Sequence, residues 1–289
     1  MTFILKRLDA NALKCHDLSA RECLKSCDQG FYVNKKKEQV PLTDLINNCL
    51  EKTEFYEDNH VFNLPPLENK ESGIIEIRNE STLQATYRMV VKENKKNVCA
   101  LNFANAFTPG GGVLYGARAQ EETLCRASAL YYSITQEKPS QFYQYHSDNY
   151  EKFGDAASNA MIYTPDCPTW KVDNVTLDEP YLTSYITSAA VDNTGRLPRE
   201  KIKAIHDERI KQIINCAIVN GVKNFVLGAF GCGAFYNDPV DVSQSFKKYL
   251  VDDEKRFYFE SISFSIIGFN TKNIDAFAKT FELPIILKE

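Results

Sequence analysis

Two glycine-rich loops and a pair of adjacent carboxylates carry the chemistry of this 289-residue sequence. The first loop runs Asn102-Phe-Ala-Asn105-Ala-Phe-Thr-Pro-Gly110-Gly111-Gly112 and, seven residues later, reaches Gln120-Glu121-Glu122. Three consecutive glycines remove every Cβ from one stretch of backbone, so the chain can take positive φ there and lie close against a ligand. Taken alone, the triplet is a flexible turn, and Glu121 and Glu122 are what a helix start favours. A strand ends before the glycines, however, and a helix opens with both carboxylates after them. That combination points to acid–base work on a ligand that the glycines admit.

The second loop reads Leu227-Gly228-Ala-Phe-Gly231-Cys232-Gly233-Ala234-Phe235-Tyr-Asn-Asp-Pro239, leaving a strand and entering a helix. Successive amides in such a turn converge on an anion, and a helix start adds partial positive charge. This is a diphosphate cradle without a lysine. It matches neither GxxxxGK[ST] nor the dinucleotide fingerprint GxGxxG.

The elements that must position these loops follow from hydrophobic periodicity. Residues 1–72 read as an N-terminal helical segment: helix over about 4–28, an extended pair over 30–40, and helix over 41–52. The stretch NHVFNLPPLENKES then marks the boundary with residues 73–289. From there short apolar runs alternate with helical periods. Strands are predicted at 74–77, 98–103, 161–163, 181–191, 224–227 and 261–268. Helices are predicted at 81–93 with Ser81 as cap, 121–134, 198–220, after Pro239, and at 272–281. Strand–helix–strand alternation implies an α/β fold with a central mixed or largely parallel sheet and helices on both faces. Ligands of such sheets sit beyond the carboxyl ends of the strands, which places the site in the loops after Phe103, Val191, Leu227 and Gly268.

Composition narrows the function classes. A 44% hydrophobic and 25% charged chain is an ordinary globular protein. The net charge of −4 argues against duplex nucleic acid as partner. No apolar run approaches the ~18 residues of a membrane span, and MTFILKRLDANAL lacks the order of a signal peptide, so a cytoplasmic protein is expected. Nine scattered cysteines without a CxxC pair are expected to be buried, reduced thiols. HExxH, DxD and Cys/His clusters are missing from the sequence, and the four histidines sit in unrelated segments.

Together, GGGVLYGARAQEE, the preceding NFAN, DEPYLTSYITSAAV (178–191) and GAFGCGAFYN (228–237) resemble the bacterial and microbial poly(ADP-ribose) glycohydrolases of the macrodomain superfamily. The resemblance covers about residue 73 to the C-terminus, and residues 1–72 look like the accessory region of the microbial form. It implies a macrodomain-like three-layer α/β/α domain with an N-terminal helical extension, acting without metal or cofactor on poly(ADP-ribose) or ADP-ribosylated protein. A monomer is expected, releasing ADP-ribose mainly from the chain end. By the same resemblance Glu122 is the catalytic acid and Glu121 orients the adjacent ribose. Asn105 holds the distal ribose, Gly110, Gly111 and Gly112 let the backbone run against it, and Gln120 completes the motif. Gly231, Cys232, Gly233, Ala234 and Phe235 form the diphosphate loop, with Phe235 on the distal ribose, and Phe269 is the candidate face for adenine. Asn102 departs from the Asp that some relatives carry. A Glu in the first turn of a helix feels the positive dipole end, so burial and its charged neighbour must oppose that effect. Two other readings remain open: a hydrolase of mono-ADP-ribosyl adducts, and a macrodomain that binds ADP-ribose without cutting it.

Overall fold

The computed structural model describes residues 15–67, 70–268 and 271–287. Asp17 caps α1 (Leu18–Gln29) by accepting the Ala20 amide at 2.8 Å, and Gly30, at φ 78, ends it. A small hairpin of β1 (Phe31–Val33) and β2 (Gln39–Pro41) leads to α2 (Thr43–Lys52) and β3 (Glu54–Tyr56). After β4 (Ile74–Arg78), α3 (Thr82–Tyr87) starts at a reciprocal cap: Gln84 N donates to Ser81 Oγ, and Ser81 N donates to Gln84 Oε1. The predicted helix over 81–93 then continues as a π turn over Arg88–Lys92. There follow β5 (Val98–Ala104), α4 (Gln120–Ala127), α5 (Leu130–Ile134), α6 (Gln141–Asp148) and α7 (Tyr150–Phe153). The chain closes with β6 (Met161–Val172), β7 (Val175–Ala189), α8 (Arg199–Val219), β8 (Asn224–Leu227), α9 (Pro239–Lys247), β9 (Ser261–Ser265), α10 (Lys272–Phe281) and β10 (Ile285–Ile286).

Eight strands form one mixed sheet in the order β10-β4-β9-β8-β5-β7-β6-β3. The pairs from β10 to β7 are parallel, while β6 and β3 are antiparallel to their neighbours. Alternation along β5 builds a core on each face. Val98 and Ala100 enter the core shared with α1, α2, α4 and α5, whereas Cys99 and Leu101 enter the core shared with α8, α9 and α10. The result is the expected α/β/α layering. All nine cysteines are free thiols and eight are buried.

Several differences from the predicted elements have local causes. Strand β6 runs well beyond residue 163 because Pro165 and Asp166 (φ 47) lie at an irregularity in its pairing with β7, where the ladder tolerates a missing donor, and the pairing resumes with Cys167 opposite Thr183 and Pro168 opposite Leu182. The two strands are joined by Asp173 and Asn174, both at positive φ as a two-residue hairpin requires. The predicted helix over 121–134 is two helices, because Ser128 is extended and bridges Thr169. Helices α6 and α7, rich in Tyr and Gln, and the short strands β3 and β10 were absent from the periodic pattern. The N-terminal segment is built into the main body. Strand β3 is the outermost strand of the large sheet, α2 packs on β6, and α1 packs on α4. The start of the predicted 4–28 helix lies outside the described residues.

Phe264 in β9 is fully buried against Phe246, Phe277 and Phe281. Phe264→Ala is expected to lower unfolding stability by about 3–5 kcal/mol, read from the urea midpoint at unchanged denaturant slope.

Candidate active site

The carboxyl ends of β5, β7, β8 and β9 open into one cavity of about 520 Å³. On the β5 side, Gln120 ties the first turn of α4 to the strand. Its Nε2 donates to Leu101 O at 2.8 Å and Thr82 Oγ1 at 3.1 Å, and its Oε1 accepts the Phe103 amide at 3.0 Å. With α4 so fixed, Glu121 and Glu122 are both buried and both line the cavity.

Glu122 accepts two backbone amides, Gly112 N at 2.9 Å on Oε1 and Ala119 N at 3.0 Å on Oε2. The second bond supplies a helix-start cap that the Ala119 side chain cannot provide. Glycine at 111 is obligatory on two counts: φ is +57, and a Cβ there would stand 2.5 Å from Glu122 Oε1 and 3.2 Å from Glu121 Oε2. Glu121 accepts Asn105 N at 2.8 Å and Asn102 Nδ2 at 3.3 Å. Burial pushes the Glu121 carboxyl up to about 8, against the pull of the Asn105 amide and the Asn102 side chain and with the help of the Glu122 charge. Asn102, fully buried, also donates to Thr187 Oγ1 at 3.2 Å. An Asp at this place would set a third carboxylate against Glu121, so the departure at 102 suits this pair.

On the β8 side the loop turns sharply at Gly231, with φ +74, where a Cβ would meet Ala190 Cβ and Asn237 Nδ2, each at 2.6 Å. Asn237 is buried and clamps the turn, its Nδ2 donating to Val191 O at 2.7 Å and to Gly231 O at 3.0 Å. The amides of Gly231, Gly233, Ala234 and Phe235 have no partner among the described residues, and all four residues line the cavity. Free amides grouped in a turn bind anions. The start of α9 does not add to this cradle as expected, because Asp238 takes the Val240 amide and Pro239 has none to give.

A model described as "Microbial-type PARG, catalytic domain" matches residues 20–172, more than half of the chain. The chain belongs to the microbial-type poly(ADP-ribose) glycohydrolase family. Among solved structures, that of poly(ADP-ribose) glycohydrolase from Thermomonospora curvata bound to the inhibitor ADP-HPD is similar at 30% identity, with 94% of this chain and 99% of that chain covered and a TM-score of 0.81. A second structure of the Thermomonospora glycohydrolase superimposes with a TM-score of 0.84 at 29% identity, over 95% of this chain and 100% of that one. The Deinococcus radiodurans glycohydrolase in complex with ADP-ribose gives 0.73 at 29% identity, over 84% and 99%. A search of curated proteins returned no match. The family match begins inside α1 and runs across residue 72, in keeping with the integration of the N-terminal segment.

In this glycohydrolase the residues expected at the site divide into three groups. Asn105, Gly111, Gly112, Gln120, Glu121, Glu122, Gly231, Gly233, Ala234 and Phe235 share the cavity wall. Gly110 and Cys232 do not line it: Gly110 is packed under Tyr131, and the Cys232 thiol lies against Phe230 O, with burial pushing it up to about 12. Phe269 lies outside the described residues. The side-chain oxygen of Asn105 is taken by the amides of Phe107 and Thr108, each at 2.8 Å, which leaves its Nδ2 for a ligand. The sequence reading missed Asn237 and the cavity walls at Thr82–Leu83 and Ser265–Ile267. The Ser81 cap and the strand ending at residue 265 were the available signals.

Glu121 also has a consequence for stability. Its folded carboxyl holds a proton that the unfolded chain releases at ordinary carboxylate pH, so stability is lost as pH rises from the unfolded value of 4.5 toward about 8. Glu121→Gln, neutral throughout, is expected to flatten that decline when urea midpoints of the two proteins are compared across this window.

Proposed function

We propose that the chain hydrolyses the ribose–ribose O-glycosidic bonds of poly(ADP-ribose), releasing ADP-ribose from the chain end, with Glu122 as acid and then base. One observation carries this reading: the Glu121–Glu122 pair and the four free amides of the 231–235 loop face a single cavity. A diphosphate on those amides sets the attached ribose against the glycine backbone, where Asn105 Nδ2 and Phe235 hold it and Glu121 orients it. Ile266, Ile267 and Asn273 wall the cavity on the β9 side, which supports cleavage at a terminal unit.

Glu122 gives its proton to the oxygen of the departing ribose as the C–O bond breaks, and the retained sugar passes through an oxocarbenium-like state. Water adds to that carbon, and Glu122 takes back one of its protons, so one water is consumed and the side chain is restored. The burial that raises the Glu121 carboxyl to about 8 supports this reading, since it marks a cavity wall where a carboxyl can stay protonated at neutral pH. The Gly112 and Ala119 amides keep the acid from swinging away between turnovers. All of these groups belong to residues 73–289, while α1 braces α4 and β3 the sheet edge.

Incubation with automodified poly(ADP-ribosyl)ated protein, and separately with mono-ADP-ribosylated protein, is expected to release ADP-ribose from the polymer. Glu122→Gln is expected to slow turnover by about 10²–10⁴-fold while calorimetry still detects ADP-ribose binding. Cleavage by this variant at the wild-type rate would remove Glu122 from the mechanism. Gly231→Ala, strained and clashing, is expected to weaken ADP-ribose binding by at least about tenfold.

A further inference from the structure

A second, smaller pocket of about 80 Å³ adjoins the cavity and shares Leu83, Arg118 and Thr123 with its wall. Its other walls include Arg126, Lys171 and Asn174. Arg126 lies one helical turn after Glu122 on the same face of α4. It is 93% buried, and among the described residues it has no carboxylate partner: one N–H group donates to Ala117 O at 2.7 Å and the others are unused. Arg118 is exposed and makes no hydrogen bond or ion pair with the described residues. Lys171 is largely buried and, among the described residues, pairs only with the exposed Glu22, at 3.6 Å. The neighbouring Asp173 is turned to Gln84. Three cations therefore line one small pocket, and among the described residues Glu22 is the one carboxylate at ion-pair distance from any of them, in a chain whose net charge is −4.

A buried guanidinium without a counter-charge is costly, and such a group is retained where an anion completes it. Arginine forks suit phosphate oxygens in particular. We propose that this pocket binds a diphosphate, and specifically that of the ADP-ribose unit on the departing side of the scissile bond. This rests on the hydrolase reading. The terminal unit then fills the cavity with its glycosidic carbon at Glu122, and the next unit leaves past Ala117–Ala119 toward Arg118. The pocket would thus recognise polymer as distinct from a single ADP-ribosyl group, which has no second diphosphate.

The test is binding to the Glu122→Gln protein, comparing ADP-ribose with a two-unit poly(ADP-ribose) oligomer by calorimetry. The two-unit ligand is expected to bind about tenfold more tightly, the size of one charge-assisted contact, with a gain that shrinks as salt is raised. Adding Lys171→Gln, which borders only the second pocket, is expected to reduce that gain and leave ADP-ribose affinity as it was. Adding Arg118→Gln as well is expected to abolish the gain. Equal affinity for the two ligands in the Glu122→Gln protein would overturn the proposal. So would a gain that survives both substitutions, or one lost in step with ADP-ribose affinity in the Lys171→Gln protein. If neither ligand binds the Glu122→Gln protein, the hydrolase reading itself falls and this inference with it.

Discussion

The site rests on a contact that only a backbone without side chains permits: a glutamate carboxylate pressed against the peptide chain of the loop before it. Glu122 occupies the space a Cβ of Gly111 would need, and is held there by the next amide along. Such a contact fixes a carboxyl without adding an opposing charge, so its position is set by geometry alone. The other amide on Glu122 is that of the residue preceding α4, which makes this carboxylate part of the helix start as well. Helix capping does not compete with the acid role proposed for this residue; the cap is what aims its carboxyl at the cavity.

The rest of the fold supplies rigidity to that arrangement. Gln120 spends its amide on the end of β5, and Asn102 reaches from inside the sheet to Glu121. Across the cavity Asn237 plays the corresponding part, pulling the second loop onto the end of β7 so that its amides stay unpaired and face inward. These three side-chain amides donate without carrying charge. A lysine or arginine in any of the three places would draw both an anionic ligand and the Glu121–Glu122 pair to itself. The neutral frame keeps the two sides of the cavity electrostatically separate.

Much of this was legible in the sequence because the chemistry depends on backbone and adjacency. A glycine triplet at fixed distance from two carboxylates, and a second glycine-rich turn between strand and helix, are local patterns. The strands of the parallel sheet, short apolar runs such as 224–227, were likewise visible. What escaped reading depends on partners distant in the chain. Strand β6 is interrupted by Pro165 and Pro168, and only its pairing with β7 makes it a strand. Asn237 looks like an ordinary turn residue until Val191 is placed beside it. Cys232, inside a binding loop by sequence, turns toward the core because alternate residues of a tight turn must point apart.

The large sheet ends in β3 on one side and β10 on the other, strands of three and two residues. Long flat borders invite another polypeptide to continue the ladder, whereas stubs of this length present few unsatisfied amides. By recruiting residues 54–56 to finish the sheet, the N-terminal segment occupies the edge of β6 at residues 161–163, and the bridge from Ser128 to Thr169 interrupts the same edge further along, so little of this 12-residue strand is left as a template for another chain.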